Sequence, residues 1–95
     1  MIQVLTQSEV RDFDTFWQVF QTRGLELRKR HGSSRASVFQ EYGNPNSIRI
    51  LYEWESRERF LSALEDVEVR EAMQEAGLLA PPLFTFLGPV GELEA

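Results

Sequence analysis

The chain contains no cysteine and a single histidine, His31, among its 95 residues. Without cysteine there is no disulfide framework, no zinc–thiolate site and no thiol nucleophile. One histidine with scattered helix-surface acids is poor material for a metal centre, so none is expected. No apolar run approaches the roughly 20 residues needed to cross a bilayer, so no membrane partner is expected. The opening "MIQVLTQSEV" lacks the charged and then apolar layout of a secretory signal. The six glycines are isolated and form no phosphate-cradling loop. No serine stands at a spacing that builds a Ser–His–Asp triad. What remains is an ordinary soluble composition, 42% hydrophobic and 26% charged. It predicts one domain over residues 1–95, in the cytoplasm by default.

Ten basic and fifteen acidic side chains leave a net charge of −5, which repels nucleic acid rather than gathering it. The charge is uneven. Five Arg/Lys and one acid, Glu26, lie between Arg23 and Arg35; eight acids and three arginines lie between Glu53 and Glu75. Such a basic run reads first as a solvated helix face, and second as a phosphate or carboxylate site.

Phe13, Phe16, Trp17, Phe20, Gly24, Leu27 and His31 recur at intervals of three and four, which predicts one long helix. Asp12 is its expected N-cap and Gly32 its stop, with Arg28, Lys29 and Arg30 suiting the dipole of the last turn. His31 lies five whole turns after Phe13 and so faces inward. A second helical region, 57–77, is expected to break. Ser56 caps a first part burying Phe60, Leu64 and Val67; Asp66 caps a second burying Val69, Ala72, Met73 and Ala76. Gly77 and then Pro81-Pro82 end it. Strands are expected at 2–7, 36–42, 47–54 and 83–88, the middle two forming a hairpin through "GNPN", with a loose tail over 89–95. The order β-α-β-β-α-β predicts an α+β, ferredoxin-like fold with a four-stranded antiparallel sheet.

Apolar side chains fall on both faces of these strands. Ile48, Ile50, Tyr52 and Trp54 share one face of 47–54 while Leu51 lies on the other. One layer of helices covers one face, so the expected cover for the second is another copy of the chain. Hairpin loops of four and five residues both fit, and they place Phe39 on opposite faces.

With these elements placed, "DFDTFWQVF", "LRKRHG", "VFQEYGNPNSIRILYEWES" and "VREAMQEAGLLAPPLFTFL" resemble the dimeric α/β-barrel superfamily, within it the antibiotic biosynthesis monooxygenase-like group. The resemblance spans about residues 2–88. It implies a homodimer whose sheets face each other as a barrel, each protomer holding a flat, mostly apolar molecule between sheet and helices. It also implies chemistry without a cofactor: a bound aromatic or polyketide-like substrate loses a proton and the carbanion reacts with O2. Quinol-oxygenating and haem-degrading relatives carry histidines in the C-terminal helical region, and residues 57–77 contain none.

The candidate site combines aromatic and basic residues: His31 as a base, Arg28 to steady an enolate or phenolate oxygen, and Trp17, Tyr52, Trp54 and Met73 as ligand walls. Each has a plain alternative as core, and the whole protein has a non-catalytic alternative as a small-molecule-binding or structural dimer. For His31 the preferred reading is structural, its ring bonded to backbone or to a strand carboxylate; the other has it opening into the cavity. Arg70 is expected to pair with Asp66, four residues earlier.

Overall fold

In the computed structural model, which describes residues 1–95, β1 (Ile2–Glu9), β2 (Ser33–Glu41), β3 (Asn44–Trp54) and β4 (Leu83–Leu87) form one sheet. The order is β2-β3-β1-β4, with every neighbouring pair antiparallel. The helices α1 (Phe13–Gln21), α2 (Arg23–His31), α3 (Arg57–Glu65) and α4 (Val67–Glu75) cover one face. This is the expected ferredoxin-like α+β arrangement. No helix is long and apolar enough to cross a membrane.

The long first helix is two helices. Thr22 Oγ1 donates to the Gln18 carbonyl at 2.8 Å, and the Thr22 backbone leaves the helical region at φ −111°, ψ −97°. A hydroxyl bonding back onto the preceding turn bends a helix, and α2 restarts with no side-chain cap. The bend turns the buried stripe through Phe16, Val19 and Leu27, leaving Trp17, expected inward, 38% exposed. At the other end the reading holds: Asp12 caps Thr15 N at 2.9 Å, and Gly32 ends α2 at φ +107°, a conformation glycine adopts without strain.

The second break occurs at the expected residue. Ser56 Oγ accepts from Arg59 N at 3.1 Å, and Asp66 Oδ1 accepts from Glu68 N at 2.9 Å. Phe60, Ala63, Ala72 and Ala76 are buried. Val67, expected in the core, is 66% exposed, because the extended backbone at Asp66 turns the first residue of α4 outward.

The hairpin closes through Tyr42 and Gly43, with Glu41 opposite Asn44 and Gly43 at φ +81°. β2 therefore starts at Ser33 rather than 36 and β3 at Asn44 rather than 47, most of the "GNPN" connector being the irregular start of β3. Val38 pairs with Ile50 and Phe39 with Arg49. That register puts Phe39 on the face away from the helices, which also carries Leu5 on β1 and Leu83 and Leu87 on the opposite edge strand β4, all exposed. The helix-covered face carries Val4, Thr6 and Ser8 from β1 and Ile48, Ile50 and Trp54 from β3, all buried.

Two core clusters fill the layer between sheet and helices. One joins Phe16, Val19 and Leu27 to Ile48, Ile50, Ala72 and Ala76. The other is Val4, Trp54, Phe60 and Ala63, with Phe86 against it.

Candidate functional site

A partly open cavity of about 110 Å3 lies between sheet and helices, lined mostly by the first cluster and, from α3, by Phe60 and Leu64 of the second. Its walls are mainly apolar. β3 contributes Ile50 and Tyr52, α1 Phe16 and Phe20, and α4 Val69, Ala72 and Met73. The polar groups are few: Arg28 from α2, the Tyr52 hydroxyl, and the hydroxyls of Thr6 and Ser8 on the β1 floor. No histidine and no carboxylate lines it.

Arg28 is half-buried and makes no ion pair within 4 Å. Its guanidinium carbon lies 3.7 Å from the centre of the Phe20 ring, a cation–π arrangement that occupies the charge in place of an anion. Burial lowers its pKa, and the neighbouring Tyr52 opposes that; a guanidinium stays charged regardless. Burial pushes the Tyr52 phenol up to about 12, with Arg28 pulling against it. At neutral pH the pair is therefore a cation beside a neutral hydroxyl. It offers hydrogen-bond donors to a developing oxyanion and no base.

The structure brings Arg28, Tyr52 and Met73 together and places the other candidates elsewhere. Trp17 lies on the outer side of α1, lining a surface groove. Trp54 is sealed in the second cluster, its ring 5.3 Å from Phe60 and edge-on at 82°, with Nε1 buried and without an acceptor. His31 does not line the cavity. Its Nε2 meets Asp66 Oδ2 at 2.7 Å, so its partner is the capping carboxylate of α4 and not backbone or a strand carboxylate. The His31 bond, with the Glu68 amide, holds the Asp66 carboxyl below the usual carboxylate range. Arg70, expected on Asp66, instead donates from Nε to the Leu64 carbonyl at 3.0 Å. Thr6 and Ser8 were missed as wall residues, although the alternation Val4, Thr6, Ser8 already marks one face of β1.

The same pairing sorts the basic run. Arg23 meets Glu71 and Glu75, and Arg30 meets Asp66 and Glu68, all on the α4 side. Arg28, Lys29 and Arg35 make no ion pair, and all three line the groove between α1–α2 and the edge strand β2.

No family model matches the chain, and no curated protein does. Solved structures do. SnoaB, a cofactor-independent oxygenase from Streptomyces nogalater, superposes with a TM-score of 0.77 at 17% identity, over 99% of this chain and 97% of that one. An antibiotic biosynthesis monooxygenase gives 0.72 at 13% identity over 96% and 100%, and a conserved protein from Methanosarcina mazei 0.68 at 19% over 90% and 89%. At these identities the likeness is one of architecture: this chain has the ferredoxin-like α+β fold of the antibiotic biosynthesis monooxygenase structures.

Proposed function

We propose that the protein is a cytoplasmic homodimer in which each protomer binds a flat, mostly apolar small molecule between sheet and helices and oxygenates it without a cofactor. One observation carries the reading. A guanidinium without a carboxylate partner and a neutral phenol line one mainly apolar cavity, an arrangement suited to an oxygen that acquires negative charge. A substrate CH2 between aromatic rings loses a proton to water, and its carbanion reduces O2 to a peroxide that takes a proton back. Loss of the second C–H proton breaks the O–O bond, leaving one oxygen as a carbonyl and releasing the other as water. Arg28 and Tyr52 hold the enolate or phenolate oxygen throughout. Leu5, Leu83 and Leu87, with Phe39 at the opposite edge, support the dimer, since apolar side chains exposed on the uncovered sheet face gain from a matching surface.

The test is turnover of an anthrone under air by the wild type, Arg28→Met and Tyr52→Phe. Arg28→Met should lower kcat about 100-fold and Tyr52→Phe less, as loss of one oxyanion donor does. Equal rates in all three would sink the oxygenase reading. A second reading, binding without catalysis, is favoured by the absence of any base among the wall residues. It predicts tight anthrone binding with no oxygen consumption.

A further inference from the structure

The cavity is smaller than the roughly 300–1,000 Å3 typical of sites for drug-sized ligands, yet a space of that class adjoins it. The open groove between α1–α2 and edge strand β2 offers about 630 Å3. Trp17, Phe20 and Leu25 form its helical wall, Ala36 and Val38 its strand wall. Phe20 and Arg28 belong to both spaces, so the stacked pair Arg28–Phe20, 3.7 Å apart, is the partition between them. All three cations left unpaired in the basic run line this groove, Arg35 from its rim, where it also faces Glu53 across the sheet. No carboxylate lines the groove, in a chain whose net charge is −5.

We infer that the groove is the outer part of the binding site and selects a planar aromatic molecule bearing a carboxylate. The carboxylate sits on Lys29 and Arg35 and the ring lies against Trp17. Arg28 then leaves Phe20 for the anion, which opens the partition and joins the two spaces. Arginine offers a carboxylate two parallel N–H donors, and lysine adds a point charge. The exchange of a ring face for an anion replaces a weaker interaction of Arg28 with a stronger one. This deepens the function proposed above and rests on it only for where the ring ends up.

Calorimetric titration of the full chain with 2-naphthoate, 2-naphthalenemethanol and inorganic phosphate tests the inference. The carboxylate should bind about tenfold or more tightly than the neutral alcohol, and the variant carrying both Lys29→Gln and Arg35→Gln should erase that advantage while leaving the alcohol unchanged. Both residues are exposed, so the fold tolerates the change. Equal affinity for acid and alcohol, or unchanged naphthoate binding in the double variant, overturns the groove. So does displacement by phosphate at equal concentration, which marks a site for any anion. Met73→Trp, which fills the inner cavity, separates the two proposals. Naphthoate binding that survives Met73→Trp but not the double variant keeps the groove and refutes the inner site; the reverse pattern refutes the groove alone.

Discussion

The two halves of the layer between sheet and helices share one sheet and opposite properties. Around Phe60 the rings of Trp54, Phe84 and Phe86 stand at centroid distances of 5.3, 5.2 and 5.7 Å, each steeply inclined to it, so that edges fill what faces leave open. The cavity that Met73 lines is also bordered by Ala72, Ala76, Thr6 and Ser8, side chains too short to fill the layer. Space here comes from small and hydroxylated side chains opposite one another, not from an altered backbone. The Trp54 Nε1 left without an acceptor shows how completely packing decides the solid half, since an orphan buried donor costs about 1–3 kcal/mol.

Three experiments break or sharpen this contrast. Both Phe60 and Met73 border the cavity, but Phe60→Ala also removes contacts with three rings, so it should cost about 3–5 kcal/mol against about 2 kcal/mol for Met73→Ala; urea unfolding midpoints measure both, and equal losses would end the distinction. The same substitution in each half comes next. Ala63→Leu should destabilise by about 1–3 kcal/mol through overpacking, whereas Ala72→Leu, beside the cavity, should cost under about 1 kcal/mol. The smallest effect is on titration. In a Tyr42→Phe variant, leaving Tyr52 the only tyrosine, phenolate absorbance should rise with a midpoint of about 12. Because the folded value lies above the ordinary tyrosine value of 10.0, the stabilisation is complete below pH 10 and is lost as pH rises through about 12. Adding Arg28→Met removes a cause that lowers the value, so the midpoint should move up.

The sequence spoke clearly where a side chain acts on its own backbone. Ser56, Asp66 and Asp12 cap because their oxygens reach amides two or three residues on, and Gly32 stops α2 whatever lies nearby. It was silent where the outcome depends on distant partners. A threonine inside a helical pattern carries no break signal, so the bend at Thr22, the promotion of Val19 to the core and the exposure of Trp17 were not legible. Arg28, Tyr52 and Met73 could be placed on inward faces, but which inward residues meet at a void depends on the sizes of Thr6, Ser8 and Ala72 across the layer. His31 was legible as inward and shielded; its partner, 35 residues away on α4, was not.

That partner has a mechanical consequence. The C-terminal end of α2 is bolted three ways: His31 to Asp66 at 2.7 Å, Arg59 to the His31 carbonyl at 2.8 Å, and Gly32 to the Glu55 amide at 2.9 Å. The other end, at Thr22, has as its ion pairs to α4 the exposed ones of Arg23 with Glu71 and Glu75, which contribute little in water. Polar resistance to widening the layer is therefore concentrated at the His31 end of α2, while the Thr22 end relies on its continuity with α1 and on the packing of Phe16 and Val19 against Ala72 and Ala76.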